Sequence, residues 1–165
     1  PKDSRQVYVA TKDAKLYTFL SNTVTNPNTS ADIDQNFAVT NWQDLSTVLK
    51  DFNLGSNFRD LAICAADGSL FLTTEQAIVR SPDKGATWEK INLLPPEKDA
   101  IINAIAVNPK DSQEIYYVTN TALFNSSDGG VTWTMKKLNT SRAGWDLLID
   151  MNNPNNIYLG TKKLQ

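Results

Sequence analysis

The chain has 165 residues, and 16 basic against 18 acidic side chains give a formal charge of -2 with no histidine. A chain of this length forms one domain, and without histidine it can build neither a Ser-His-Asp or Cys-His catalytic set nor a His-ligated metal site. The near-neutral charge, with no basic block, argues against nucleic acid as a partner. No apolar run reaches the ~20 residues of a membrane-spanning helix, so no membrane insertion is predicted.

The first part of the chain combines strand-like runs with a long polar stretch. Residues 1–8 match residues 109–116 in type, and 15–20 reads as a strand. Residues 21–39 are rich in Asn, Thr and Ser, which predicts an exposed loop. Residues 45–54 suggest a short helical turn before a glycine.

One segment of the polar stretch begins like a calcium-binding loop. Residues 32–36 read Asp-Ile-Asp-Gln-Asn, but Phe37 and Gln43 stand where such a loop needs glycine and glutamate. We therefore predict a solvated acidic loop and no metal site.

Two octads that fit S-x-D-x-G-x-T-W dominate the rest of the chain. They occupy 81–88 and 126–133, so Trp88 and Trp133 lie 45 residues apart, and Trp42 lies 46 residues before Trp88 without the preceding octad pattern. The motif positions are Ser81, Asp83, Gly85, Thr87 and Trp88, and Ser126, Asp128, Gly130, Thr132 and Trp133. A repeat of this length predicts a solenoid or a propeller.

Within one repeat the apolar and β-branched runs are typical of strands. Four runs are predicted in each of two repeats: near 59–66, 69–74, 77–81 and 87–92, and at 102–107, 114–119, 122–126 and 131–137. Four strands joined by short hairpins form one blade of a β-propeller. Cys64, the only cysteine, lies in one of these runs and is expected to be a small buried residue that forms no disulfide.

The predicted fold class is therefore all-β, a propeller segment of about three to three and a half four-stranded antiparallel blades. The predicted boundaries are about 1–50, 57–93 and 101–138 for three blades, and about 144–165 for the start of a fourth. These strands do not close a ring. The missing partner is predicted to be the remaining blades of the same propeller or another chain that completes it.

The octads resemble the Asp-box, also called the BNR repeat. It occurs in the propellers of sialidases, sortilin-type receptors, some xyloglucan-cleaving glycosidases and photosystem II assembly factors. The resemblance implies that each octad joins the third and fourth strands of a blade. Asp83 and Asp128 would accept N–H groups of their own turns, and Trp88 and Trp133 would pack between blades. All ten motif residues are thus predicted to be structural, with no catalytic or metal-binding role.

The resemblance places ligand sites of the family's enzymes on the face opposite the octads, around the central channel. Loops that map there contain the candidate ligand-binding residues Arg59, Asp60, Arg142, Trp145 and Asp146. For Trp145 a role in the core or as a channel plug is preferred over ligand stacking. Asp60 and Asp146 are candidates for a carboxylate pair, although surface acids or strand caps are the preferred interpretation.

Three functions remain open. The first, which we prefer, is a non-catalytic scaffold for protein or glycan binding or assembly, without a cofactor and outside the cytoplasm, as the polar loops and the family's habits suggest. The second is a portion of a sialidase-like or xyloglucanase-like glycoside hydrolase. A sialidase-like enzyme would need an arginine cluster and a Tyr/Glu pair, and the four arginines show no such motif. The third is a structural module of a large cell-surface protein.

Overall fold

The computed structural model describes residues 6–20, 42–55, 57–94 and 101–163. In these ranges it has thirteen β-strands and one 3-10 helix, Ser46–Phe52. The strands are β1 (Gln6–Ala10), β2 (Leu16–Leu20), β3 (Gln43–Asp44), β4 (Asp60–Ile63), β5 (Leu70–Thr73), β6 (Ile78–Ser81), β7 (Glu89–Ile91), β8 (Ile102–Asn108), β9 (Asp111–Thr119), β10 (Ala122–Ser126), β11 (Thr134–Lys137), β12 (Ala143–Ile149) and β13 (Ile157–Lys162). No helix in the described ranges has the length and apolar character needed to cross a bilayer.

The strands form four antiparallel sheets in which sequence neighbours are hydrogen-bonded. Sheet 1 has the order β1-β2-β3, sheet 2 β4-β5-β6-β7, sheet 3 β8-β9-β10-β11 and sheet 4 β12-β13. Sheets 2 and 3 are four-stranded meanders joined by short connections, and sheet 4 is a hairpin. The two sets of four strands predicted from the repeats are both present, and the helical turn predicted within 45–54 is confirmed as the 3-10 helix.

The fourth strand of each complete sheet begins later than predicted. The prediction for sheet 3 was 131–137, but β11 begins at Thr134. The N–H groups of Val131 and Thr132 both donate to the Asp128 carboxylate, so they cannot enter the strand ladder. In sheet 2 the Thr87 N–H is held by Asp83 in the same way, and β7 begins at Glu89.

Sheet 2 is buried on both faces. Successive residues of a strand point to opposite sides, and in β5 Phe71 joins an apolar cluster shared with sheet 3, while Leu72 joins one shared with sheet 1. Cys64 is fully buried in the first of these clusters, as expected. A third cluster, which includes Val118 and Leu147, joins sheets 3 and 4. Each fully buried side chain of this size contributes roughly 1.5–3 kcal/mol, so contacts between sheets hold the stack together.

The 3-10 helix is fastened to sheet 1 at its start. The Ser46 N–H donates to Asp44 Oδ1 over 2.7 Å, and the Ser46 hydroxyl oxygen accepts the Leu16 N–H over 2.9 Å. Leu49 is buried in the cluster between sheets 1 and 2. Asn53 ends the helix with a φ of +49°, the left-handed conformation that asparagine tolerates.

The outer faces of sheets 1 and 4 remain exposed. On sheet 1, Val7 pairs with Phe19 and Val9 with Tyr17, and the ring of Trp42, 47% exposed, packs against both aromatic rings. On sheet 4, the paired residues Leu148 and Tyr158 are 63% and 54% exposed. We call these surfaces the sheet 1 end face and the sheet 4 end face. Exposed apolar patches of this kind mark surfaces that another element covers.

Some predictions fall outside the described residues. The loop at 21–39, with the acidic segment 32–36, lies there, as do residues 1–5 and 95–100. The three tryptophans of the repeat, Trp42, Trp88 and Trp133, are all described. Each directly precedes the last strand of its sheet, which is β3, β7 or β11.

Candidate binding site

The first octad is a turn closed by its own side chains. The Ser81 hydroxyl accepts the Gly85 N–H over 2.7 Å and donates to Asp83 Oδ1 over 2.9 Å. The Asp83 carboxylate also accepts the Thr87 N–H over 2.7 Å and the Thr87 hydroxyl over 2.6 Å. These bonds, the Thr87 hydroxyl foremost, lower the pKa of Asp83. The polar groups of this octad are therefore used within the turn.

The second octad repeats the same bonds. The Ser126 hydroxyl accepts the Gly130 N–H over 2.8 Å and donates to Asp128 Oδ1 over 2.7 Å. Asp128 accepts the Thr132 N–H over 2.8 Å and the Thr132 hydroxyl over 2.5 Å. The Thr132 hydroxyl and N–H, followed by the Ser126 hydroxyl, lower the pKa of Asp128 to about 2. Two turns 45 residues apart thus have one hydrogen-bonding scheme.

Each octad packs its glycine against the preceding sheet. Gly85 has a φ of +97° and Gly130 a φ of +93°, the region that favours glycine. A Cβ at Gly85 would lie 2.6 Å from Leu45 Cδ1, and one at Gly130 would lie 2.3 Å from Ile91 Cγ2. Leu45 directly follows sheet 1 and Ile91 belongs to sheet 2. The octad glycines are therefore required both by the turn and by the contact between sheets.

The octad tryptophans lie in the same interfaces. Trp133 donates its indole N–H to the Asn92 carbonyl over 2.7 Å. Its ring forms a T-shaped pair with the ring of Tyr117, with the ring centroids 4.8 Å apart. Trp88 packs against the cluster shared by sheets 1 and 2, and its indole N–H bonds to Gly85 of its own turn over 3.2 Å. Of the two octad tryptophans, Trp133 is therefore the one whose indole N–H bonds to the preceding sheet.

Acid should weaken the octads in a defined pH range. The pKa of the Asp128 carboxyl is about 2 when folded, against an ordinary value of 3.8, so the unfolded chain takes up a proton first as the pH falls. We expect stability to decline between about pH 4 and pH 2, and to decline less steeply in the Asp128→Asn variant, as measured by urea unfolding at successive pH values. Parallel curves for the two proteins would contradict the assignment.

On the opposite face, three residues occupy equivalent positions at or just before the start of the first strands of sheets 2, 3 and 4. Asn103 and Trp145 are bulge residues that interrupt the pairing of β8 and β12. Arg59 stands in the same place in sheet 2, where its N–H and the paired residue Asp60 both face Thr73. A bulge redirects a side chain away from the regular pleat. The three side chains therefore share one register position on successive sheets.

Each of these residues contacts a partner on the second strand or just after it. Arg59 forms an ion pair with Glu75, the Asn103 amide donates to Asn120 Oδ1 over 2.8 Å, and the Lys162 ammonium lies 4.0 Å from the centre of the Trp145 ring. The partners are equivalent too. Asn120 and Lys162 follow Thr119 and Thr161, which pair with the residue before each bulge. Glu75 follows Thr74, the residue after Thr73, which pairs with Asp60. We call these pairs, Arg59–Glu75, Asn103–Asn120 and Trp145–Lys162, the paired row.

The paired row lies at the ends of the sheets opposite the octads. In an antiparallel meander the start of the first strand and the end of the second strand lie at the same end of the strands. The hairpin between the third and fourth strands lies at the opposite end. Two of the candidate residues named from the sequence, Arg59 and Trp145, belong to the row. Asn103 was missed, because its position depends on a bulge that the sequence pattern does not reveal.

The remaining candidates lie beside the row. Asp146 and Asp60 directly follow row residues, and Arg142 lies in the exposed loop before β12, where its N–H donates to the Thr140 hydroxyl. Trp145 is 42% exposed in the described ranges, and its expected role in the core or as a channel plug stays a prediction. The Trp145 ring carries Lys162 on one side, an arrangement of the cation–π type.

Asp60 joins two sheets. Its Oδ1 accepts the Leu61 N–H over 2.8 Å, and its Oδ2 accepts the Ile105 N–H of sheet 3 over 3.0 Å. Burial raises the pKa of Asp60, and the negative charge of Asp146 raises it further, against the effect of the two N–H bonds. Both carboxylate oxygens are therefore occupied by main-chain donors.

A Tyr/Glu pair exists on sheet 3, at the end of the strands that carries the octads and not in the paired row. The Tyr116 hydroxyl donates to Glu114 over 2.5 Å, and the Asn108 amide donates to the other carboxylate oxygen over 2.5 Å. Burial, together with the Glu114 bond and charge, raises the pKa of Tyr116 to about 12. A phenol so hard to ionise is a poor nucleophile, and the arrangement holds the β8–β9 hairpin. Within the described ranges no group of three acidic or cysteine side chains could hold a metal ion.

Comparisons with known proteins identify the fold. No family model and no curated protein matches the sequence. Among solved structures, the chain is similar to YCF48 bound to a D1 peptide, with 14% identity and a TM-score of 0.61 over 90% of this chain and 41% of that one. It is also similar to the GH74 xyloglucanase from Xanthomonas campestris (18%, TM-score 0.62, 98% and 26%) and to the GH74 enzyme from Niastella koreensis (20%, 0.59, 97% and 25%).

These likenesses show that the chain has the fold of a β-propeller segment, as predicted from the repeats. Sheets 2 and 3 are four-stranded blades, and the apolar clusters show that each sheet packs face to face on the next. The chain spans 41% of the YCF48 structure and about a quarter of the two GH74 enzymes. It therefore corresponds to part of such a propeller.

Proposed function

We propose that this chain is part of an Asp-box β-propeller that serves as a non-catalytic scaffold outside the cytoplasm and binds a protein segment or a glycan on the paired row. The paired row carries the proposal. Three equivalent positions hold three different pairs, an ion pair, an amide pair and a cation on an aromatic ring. A rigid framework that presents varied polar and aromatic groups is well suited to recognition.

The framework beneath the row supports this role. The Thr74 and Thr119 hydroxyls each accept the N–H groups two and three residues further on, so the two loops have the same turn. The side chain of Asn103 also donates to the Gly144 carbonyl of sheet 4 over 2.7 Å. These hydrogen bonds hold the loops beneath the row in place, so that binding would need little rearrangement. The peptide in the YCF48 complex makes a peptide segment a suitable first class of ligand.

The sheet 1 and sheet 4 end faces would be covered by the remaining blades of the propeller or by a second chain that completes it. Trp88 and Trp133 each pack towards the sheet before their own. Trp42 holds the same position in sheet 1 and is 47% exposed. The repeat therefore assigns it a preceding blade, in keeping with the fraction of each related structure that this chain spans.

The alternative is a portion of a glycoside hydrolase, with Asp60 and Asp146 as its carboxylates. The negative charge of Asp146 is the last of the causes that act on the pKa of Asp60, so it gives this alternative little support. Against it, both Asp60 oxygens accept main-chain N–H groups, a strand-capping role. Hydrolysis of chromogenic glycosides by the full-length protein, lost in the Asp146→Asn variant, would support the alternative and contradict the scaffold.

Ligands of the row should depend on its two end pairs. We expect peptides or glycans selected from a display library or an array to lose at least about tenfold in affinity in the Arg59→Ala and Trp145→Ala variants, since exposed Arg and Trp side chains dominate binding energies. Met151→Ala is the matched control, because Met151 is 64% exposed and lies on the turn between β12 and β13, at the opposite end of the strands from the paired row. Fluorescence anisotropy measures the affinities. Equal losses in the control, or none in the row variants, would refute the proposal.

A further inference from the structure

A separate cleft of about 390 Å³ opens beside sheet 2, next to the Arg59–Glu75 end of the paired row. Its lining comes from the segment that follows the 3-10 helix, from the loop Thr74 to Ala77, and from Lys90 of β7. Ligand pockets in proteins commonly occupy about 300–1,000 Å³. The cleft is therefore large enough for a small ligand or for one unit of a larger one.

The first wall of the cleft is produced by an insertion. The connection from sheet 1 to sheet 2 covers 45–59 and includes the helix, whereas the connection from sheet 3 to sheet 4 covers only 138–142. The helix is held by Leu49 in the core and by the Ser46 bonds to sheet 1. The left-handed Asn53, whose N–H donates to Lys50, turns the chain into the cleft wall. The helix therefore fixes where this wall begins, at Asn53.

The second wall is equally well held. The Thr74 hydroxyl accepts the N–H groups of Gln76 and Ala77 over 3.3 and 3.1 Å, and the Glu75 carbonyl accepts the Ile102 N–H over 2.8 Å. The Gln76 side chain is exposed at the tip of this loop. Because this loop is already held by hydrogen bonds, it needs little ordering when a ligand binds, which lowers the entropy cost of binding.

The chemistry of the lining selects the ligand class. Three residues with carboxamide side chains, Asn53, Asn57 and Gln76, line the cleft. A carboxamide has both donors and acceptors, which matches hydroxyl groups that have the same. Leu54 and Ala77 add a small apolar surface. The two charged groups, Glu75 and Lys90, have opposite signs, and Glu75 is already paired with Arg59. The lining therefore favours a neutral ligand rich in hydroxyl groups.

We propose that this cleft is a second binding site, which takes a neutral saccharide unit. It is distinct from the paired row, since of the row residues only Glu75 lines it, and the proposal stands whether or not the row binds a ligand. In a propeller with both sites, a glycan held in the cleft would lie directly beside the first pair of the row.

The test is a titration of the full-length protein with cellobiose and maltose, with glucuronate and glucosamine as charged comparators. The side-chain amide signals of Asn53 and Gln76 should shift in NMR spectra, with a dissociation constant on the order of 1 mM. In the double variant Asn53→Gly, Gln76→Ala the affinity should fall about tenfold, because two hydrogen bonds are lost. Glycine keeps the left-handed conformation of residue 53.

Two controls separate the outcomes. Asn139→Ala removes an exposed amide from the 138–142 connection and should bind cellobiose like the unaltered protein. Trp145→Ala disrupts the paired row and shows whether the saccharide binds there instead. Loss of binding in Trp145→Ala alone would place the saccharide on the row and overturn the cleft. No binding at about 10 mM of either disaccharide, unchanged binding in the double variant, or preference for a charged comparator would also overturn the proposal.

Discussion

Alanine at Gly130 should lower the free energy of unfolding by about 3 kcal/mol. The residue has a φ of +93°, and an added Cβ would lie 2.3 Å from Ile91 Cγ2. The unfavourable backbone conformation costs roughly 1–2 kcal/mol, and forcing a methyl group into the contact between sheets 2 and 3 adds roughly 1–3 kcal/mol. Urea unfolding of the full-length protein measures the sum.

Gly55→Ala is the matched control for this change. Gly55 has a similar φ of +81°, but no atom lies within 4 Å of its added Cβ, so only the backbone cost of roughly 1–2 kcal/mol remains. The difference between the two variants isolates the contact with Ile91. Equal destabilisation by both changes would show that Gly130 serves its turn alone and that the octad does not hold adjacent sheets together.

The second large effect is expected for Trp133→Ala, at about 3 kcal/mol, which is near the lower end for large buried aromatic residues because the ring is half-buried. The change removes the edge contact with Tyr117 and leaves the Asn92 carbonyl without its indole donor. Thermal and urea unfolding report the loss. Trp133→Phe should recover part of the packing but not the hydrogen bond, and should fall between alanine and the natural residue.

Trp42→Ala tests whether a blade precedes sheet 1. The structure described here leaves Trp42 in contact with Tyr17 and Phe19 and 47% exposed. If another blade covers the sheet 1 end face in the full-length protein, the cost should approach that of Trp133→Ala, about 3 kcal/mol. A cost below about 1 kcal/mol, typical of a surface change, would contradict the proposed covering blade.

The strands and the octad turns could be predicted from the sequence because their signals are local. A β-branched run such as 102–107 and the spacing from Ser126 to Trp133 each specify a structure within a few residues. The delayed start of β11 is local too. It follows from the two N–H groups that Asp128 holds, a competition that strand propensity alone does not register.

The candidate binding surfaces could be predicted only in part. Arg59 and Trp145 stood out by residue type, but their equivalence with Asn103 depends on bulges at Asn103 and Trp145, which arise from pairing with the next strand. The cleft was not foreseen, because it depends on how the 3-10 helix docks through Leu49. Position in the chain showed at which end of the strands these residues lie, whereas long-range packing determined which side chains meet.

The docking of each octad glycine on the sheet before it gives the array a direction. Gly130 contacts Ile91 and Gly85 contacts Leu45, so every loop of this type is supported by residues that precede it in the chain. In repeat architectures, stability is transmitted between nearest neighbours. We therefore expect local unfolding of one sheet to destabilise the octad turn of the next sheet more than that of the sheet before it. During synthesis, each folded sheet would provide the surface on which the octad of the following sheet packs.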